Sequence, residues 1–217
     1  CHRKPLIRGP AAPNLSRSVI RRDEIEHRAP VDTQELLRTL PSVAATRAGG
    51  VGGLTFVSIR GGDPNYTLFL LDGIKLNDPT NSRGGGFDLY MIPPGIIDSI
   101  EVNPRPGSAV LGGDGLGGTV SLSTRPYRGM QARSTTDSHG SLAAGADLGG
   151  TMAEGLNGSL SVGIDDKTSG VEGDELRQAY LLGRASARIG SGGQMGALFY
   201  RVDRDASGFP EDSGGDR

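Results

Sequence analysis

The sequence predicts a small α+β unit followed by a run of antiparallel β-strands, and three observations carry that prediction. Helical patterns are short and confined to the first 41 residues. Between Thr55 and Ser123, brief apolar runs are divided by Gly, Asp, Asn and Pro, as short strands with tight turns require. Beyond residue 129 the pattern changes to alternation with a period of two. Composition agrees: Gly accounts for 36 of 217 residues while hydrophobic residues reach only 35%, which argues against a close-packed enzyme core and for β-rich architecture. A chain of this length accommodates two units.

Residues 1–14, with Pro5, Pro10 and Pro13, read as an extended leader. Ser18 to Ile20 is a short β-like run, and Arg22 to His27 a helical turn. Asp32 or Thr33 then caps a helix with Leu36, Leu37 and Leu40 on one face and Pro41 as its stop. Gly49 to Gly53 is a loop, and Thr55 to Ile59 alternates as a strand. Thr67 to Leu71 suits a buried strand, turned back by Asp72-Gly73, where Gly tolerates positive φ, into Ile74 to Leu76. The segment from Asn77 to Gly86 is rich in Asn, Asp, Pro, Ser and Gly and reads as a surface loop. Strands over Ile96 to Val102 and Val120 to Ser123 complete a unit ending near Pro126.

In the second half, Leu156, Gly158, Leu160, Val162 and Ile164 fall on one face, against Asn157, Ser159, Ser161, Gly163 and Asp165 on the other. Ala179, Leu181, Gly183, Ala185, Ala187 and Ile189 repeat the design, opposed by Tyr180, Arg184, Ser186 and Arg188. Weaker versions occupy Leu142 to Leu148 and Met195 to Phe199. A transmembrane β-barrel requires this alternation because lipid-facing and lumen-facing positions alternate, and a soluble antiparallel sheet gives it equally. Pattern alone leaves both open.

Several function classes are excluded. A net charge of −2 gives no general attraction to nucleic acid. The first thirty residues are basic, with seven Lys/Arg against three Asp/Glu, and residues 130–217 are acidic, with eight against thirteen. Cys1 is the only cysteine, so the chain holds no internal disulfide and no Cys-based metal site. No run approaches a transmembrane helix. The glycines Gly112, Gly113, Gly115, Gly117 and Gly118 are not a phosphate loop, because no Lys-Ser/Thr follows and Thr119 to Leu122 is strand-like. Glycines before a strand permit tight turns and close backbone packing. Asp72, Asp88, Asp98, Glu101 and Asp114 lack the histidine partners and convergent spacing of catalytic groups; Asp72 and Asp88 read as local backbone acceptors. No catalytic residue, cofactor or metal site is expected.

One stretch combines these features in a recognisable order. A helix with Leu-Leu and Leu-Pro (Glu35 to Val43) precedes a Gly-rich loop. Ile59-Arg60-Gly61, Asp72-Gly73, Ile100-Glu101-Val102 and a Gly-rich approach to a strand then follow. In this order the words resemble the plug domain of TonB-dependent outer-membrane receptors, over residues 15 to 128. Loop lengths are most similar to cobalamin receptors, with siderophore receptors next.

The resemblance implies an α+β plug, a small mixed sheet with short helices, over 15–128. It further implies that 129–217 forms four or five antiparallel strands of an incomplete transmembrane β-barrel in the cell outer membrane. A complete barrel of this family has about 22 strands, so the chain is expected to be a fragment or a truncated product. The implied partners are TonB with its inner-membrane energising complex, outer-membrane lipid, and a small-molecule or metal-chelate ligand. Candidate ligand contacts are two apical loops: Asp63, Pro64, Asn65 and Tyr66, then Asp78, Thr80, Asn81, Ser82 and Arg83. Arg60 and Arg105 are the plug residues expected to meet the barrel. Two departures stand out. Pro104-Arg105-Pro106-Gly107-Ser108 replaces the family's Arg-Gly-Pro-x-Ser, which shifts the arginine by one position, and Pro5-Leu6-Ile7-Arg8 is a poor match to a TonB-binding box. A periplasmic plug-like binding or signalling module without transport is the alternative reading.

Overall fold

Strand and helix positions follow the apolar pattern closely. In the computed structural model, which describes residues 17–51, 53–77, 87–106, 115–170, 173–190 and 192–207, the chain opens with β1 (Ser18–Arg21) and α1 (Arg22–Arg28). Next comes α2 (Thr33–Arg38), whose N-cap is Asp32: its carboxylate accepts the Glu35 N–H at 2.8 Å, satisfying one of the orphan donors of the first turn. Leu36 and Leu37 are buried.

A hairpin of β2 (Val43–Arg47) and β3 (Thr55–Ile59) follows. The five-stranded mixed sheet holds β1, β4 (Thr67–Leu71), β5 (Ile74–Lys75), β6 (Ile97–Asn103) and β7 (Gly118–Thr124). Its order is β1-β6-β7-β4-β5, and the β4–β7 pair is parallel. Every residue of β4 is buried, as its unbroken apolar run requires. Gly118 shows why the glycine cluster precedes β7: a Cβ there would sit 2.7 Å from the Asn103 carbonyl oxygen.

The second sheet is antiparallel throughout: β8 (Gly129–Thr136), β9 (Leu142–Ala153), β10 (Leu156–Thr168), β11 (Glu175–Ile189) and β12 (Gly193–Ser207) pair in chain order. It is an open, unclosed wall, with β8 and β12 as its edges among the described residues. At one end the strands turn in two or three residues, at 154–155 and 190–192. At the other they are joined by the longer segments 137–141 and 169–174. The expected outer face is solvent-exposed and apolar, with Leu160 at 44%, Ile164 at 55%, Met195 at 63% and Phe199 at 57% exposure. The opposite face is buried although polar: Asp147, Ser161, Asp165, Lys167 and Gln178 lie beneath the N-terminal unit.

One apolar core runs through both parts. Ile20, Leu37, Val57, Phe69, Leu89, Ile97, Ile100 and Leu122 pack together, and Tyr180 and Leu182 of the wall belong to the same cluster. Each fully buried Leu, Ile or Phe side chain contributes about 1.5–3 kcal/mol, so the seam between the parts is itself stabilising.

Two strands are absent from the sequence reading. β2 lies in a stretch, Val-Ala-Ala-Thr-Arg, without large apolar residues, and gains its place by pairing with β3. β8 is Gly-Met-Gln-Ala-Arg-Ser-Thr-Thr, almost wholly polar, and is fixed by its register with β9 from Gly129↔Gly149 to Thr136↔Leu142. Partner strands, rather than local pattern, decide both.

Candidate functional site

The functional geometry lies where the N-terminal unit meets the inner face of the wall, and at the loops above that seam. Asp72 and Arg184 define one end. The Asp72 carboxylate accepts the Thr124 N–H at 2.9 Å and its hydroxyl at 2.5 Å, binding the β4–β5 hairpin to the end of β7. Arg184 Nη1 donates to Asp72 Oδ2 at 3.2 Å and to the Thr124 carbonyl at 2.9 Å, which ties both to β11. Asp72, expected to be a local backbone acceptor, instead accepts from Thr124, 52 positions away, and pairs with Arg184 across the seam.

Asp88 works in the same double way. Its Oδ1 accepts the Tyr90 N–H at 3.0 Å and caps a single turn of 3-10 helix, while Oδ2 pairs with Arg204 of β12. Both partners are largely buried, at 7% and 20% side-chain exposure. Nearby, Gln178 donates to the Tyr90 carbonyl at 2.9 Å and to Asp165 at 2.6 Å. Lys167 donates to the Val31 carbonyl and lies 5.0 Å from the centre of the Tyr90 ring, which Arg47 also approaches, at 4.6 Å. Burial, with the Asp32 carboxylate beside it, pushes the Tyr90 phenol well above the ordinary tyrosine range against the opposing pull of Arg47. Tyr90 is thus a neutral donor at the centre of a charged seam.

At the long-segment end, Asp174 holds the tip of the β2–β3 hairpin: its Oδ1 accepts the Val51 N–H at 2.6 Å. Gly50 makes this approach feasible, since a Cβ there would lie 1.9 Å from the same oxygen. Gly50→Ala is therefore expected to expel the carboxylate and free the hairpin tip, at a cost of about 1–3 kcal/mol. Faster proteolysis within residues 48–54 would report it, and unaltered protection would show that the clamp is dispensable.

The candidate ligand contacts fall unevenly. Asp63 caps the short turn Pro64–Tyr66, its Oδ1 accepting the Asn65 N–H at 2.9 Å and Nδ2 at 2.8 Å. Asp63 and Asn65 are exposed, Pro64 is half-buried, and Tyr66 presents its ring to solvent at 47% exposure. Asp78, Thr80, Asn81, Ser82 and Arg83 lie outside the described residues, as does Pro5-Leu6-Ile7-Arg8. Asn77, which precedes the second loop, is bonded to the same end of β4 that Tyr66 enters, through the Phe69 N–H at 2.7 Å and the Thr67 carbonyl at 3.0 Å. Topology therefore brings the first loop and the root of the second together.

Arg60 is exposed in the left-handed region at φ 54°, with its N–H on the Ser42 carbonyl at 2.7 Å. Arg105 is exposed beside Asn103, whose side-chain oxygen accepts its N–H at 3.2 Å. Several wall side chains reach the N-terminal unit: Lys167, Gln178, Arg184, Tyr200 and Arg204 bond its carboxylates and carbonyls. The inward face of the wall was legible as polar. Which of its residues meet a partner depends on register and could not be read from alternation.

Residues 12–119 match the family model of the TonB-dependent receptor plug domain. The chain belongs to the TonB-dependent receptors. It is 32% identical over 191 residues to the vitamin B12 transporter BtuB of Vibrio vulnificus, a match that covers 86% of this chain and 30% of the relative. Among solved structures, the siderophore receptor PirA from Acinetobacter baumannii superposes with a TM-score of 0.70 at 23% identity, over 88% of this chain and 32% of the receptor. The ferric citrate transporter FecA in its unliganded form gives 0.73 at 22% identity, over 88% and 31%. The last two likenesses concern the fold. The chain spans about a third of the length of the relatives it matches. The N-terminal unit is thus a plug, the second sheet is part of a barrel wall, and the bonds of Asp72, Asp88 and Tyr90 are the plug's attachments to that wall.

Proposed function

We propose that this chain forms the plug and first wall strands of an outer-membrane importer that takes up a scarce organic or metal-chelate ligand of the cobalamin or siderophore class. The observation that carries the reading is the two-faced wall: its exposed side is apolar, as lipid contact requires, while its polar side is bonded to a plug that fills the lumen. A soluble sheet exposing so broad an apolar face would be an aggregation hazard. The shorter turns at 154–155 and 190–192 then face the periplasm, and the longer segments face outward.

In this reading catalysis plays no part and nucleic acid is not a partner. Ligand settles on the outer loops, and TonB, coupled to its inner-membrane energising complex, pulls on the plug from the periplasmic side by adding an extended segment to its own sheet. Outer-membrane lipid surrounds the wall. The domain limits, 15–128 for the plug and 129–217 for the wall, belong to the same proposal.

The test is uptake by cells. Deleting the gene is expected to abolish high-affinity acquisition of either cyanocobalamin or a ferric siderophore, and a deletion strain that acquires both normally sinks the reading. For the loops, replacing Tyr66 and Arg83 together by Ala is expected to weaken ligand binding about tenfold or more, since each removes a polar or aromatic anchor. Equilibrium binding to outer-membrane preparations measures it, and unchanged affinity removes both residues from the site.

A further inference from the structure

A chamber lies at the short-turn end of the seam, by the Asp72 end of β4 rather than its Tyr66 end, which is the periplasmic end in the proposed orientation. It is a cavity of about 740 Å³ between the β4–β5 hairpin and the inner face of β10–β12. Asn157, Ser159, Ser186 and Gln194 line it from the wall, with Asp72 on the plug side and Arg184 between them. Its residues suit an oxygen-rich solute: neutral hydrogen-bonding side chains and two guanidiniums, Arg184 and Arg128, with Asp72 already engaged by Thr124 and Arg184.

Arg184 gives the chamber its chemistry. All of its hydrogen bonds among the described residues use Nη1, to Asp72, the Thr124 carbonyl and the Thr124 hydroxyl. Its Nε and Nη2 hydrogens, the edge that matches a carboxylate two-pronged, are without a partner among the described residues. Because the plug holds the other edge, this fork is fixed before any ligand arrives, which lowers the ordering cost of binding. The guanidinium side chain is only 28% exposed, so an ion pair here is less screened than at the surface.

We infer that this chamber is a second binding station, taking a carboxylate-bearing, oxygen-rich solute on the free edge of Arg184. The station rests on the transport reading for its place in a sequence of events: it lies on the exit side of the plug. Its occupant is either the imported cargo in transit or a free organic acid of the periplasm, and the two share the carboxylate that Arg184 recognises.

Citrate is a suitable probe. Isothermal titration into the detergent-purified protein, expressed from its own gene, is expected to show saturable binding that Arg184→Gln weakens at least about tenfold, the loss of a charge-assisted pair. Gly196→Leu supplies an independent arm. Gly196 lines the chamber, and a Cβ there meets nothing nearer than the Ala185 carbonyl oxygen at 3.7 Å, so the larger side chain fills the cavity while Arg184 stays intact. It too should abolish citrate binding. Absence of citrate binding to the unmodified protein, or unchanged binding in Gly196→Leu, overturns the station. Slowed cargo uptake in Gly196→Leu, with cargo binding at the outer surface intact, identifies the cargo as occupant; normal uptake with lost citrate binding identifies a free organic acid. Failure of the transport reading looks different: the unmodified protein then imports neither cobalamin nor ferric siderophore, while its citrate titration is unaffected.

Discussion

Replacing Phe69 by Ala is expected to remove about 3–5 kcal/mol from plug stability, the usual cost of deleting a fully buried aromatic ring. Phe69 is 0% exposed at the centre of β4 and stacks on Phe87, with ring centroids 5.5 Å apart and planes at 24°. Phe87 is also bridged to Thr55 by paired backbone bonds of 2.9 Å, so the ring pair joins the mixed sheet, the β2–β3 hairpin and the Asp88–Met91 stretch that is bonded to the wall. Few plug positions connect so many elements. Denaturant unfolding followed by protease sensitivity of residues 17–128 checks the prediction. Phe69→Leu, which keeps most of the volume, should cost about 1.5 kcal/mol or less, and equal effects from both substitutions would show that the ring's shape does not matter.

Asp88→Ala should be almost as damaging, for a different reason. Removing the carboxylate leaves the Arg204 guanidinium in a largely buried position and also strips the cap from the Tyr90 N–H. Breaking a buried pair from one side costs about 3–5 kcal/mol, because the surviving charge is left uncompensated. Asp88→Asn keeps an oxygen for the Tyr90 N–H but loses the charge, so it isolates the ionic part and should fall between the native protein and Asp88→Ala. The same proteolysis assay, together with a double substitution of Asp88 and Arg204 to a size-matched apolar pair, separates the terms. If the double substitution is as unstable as Asp88→Ala alone, the uncompensated charge is not the cause.

Much of the plug was legible because its local signals agree with its final environment. Asp32 caps α2 as its residue type suggests, and the apolar run of β4 is buried on both faces. Asp72-Gly73 turns the chain, with Asp72 at φ 48° and Gly73 at φ 85°. Gly117 and Gly118 also act as inferred, through close approach to Tyr66 and Asn103, while Gly112 and Gly113 lie outside the described residues. β2 and β8 were illegible for the converse reason: neither carries a pattern of its own, and each exists because a neighbouring strand offers a row of unpaired N–H and C=O groups. The wall strands β9 and β12 run well past the apolar alternation that signals them, to Ala153 and Ser207, since pairing continues wherever a partner continues.

The candidate site divides along the same line. The polar turns at Asp63 to Tyr66 could be chosen from composition, because turn chemistry is local. Clamps such as Asp174 on Val51, Arg184 on Asp72 and Arg204 on Asp88 link residues 123, 112 and 116 positions apart in sequence, and no local pattern carries information across such separations. The ordered words up to Thr124 determined the family and the plug architecture, and the period-two pattern beyond residue 129 determined the alternation of the wall, since each depends on residue type at short spacing. Only the tertiary structure decided how the plug is held, because register between β10, β11 and β12 selects which inward side chains reach a partner. Charges that read as scattered surface residues in the sequence thereby become the buried attachments of one part to the other.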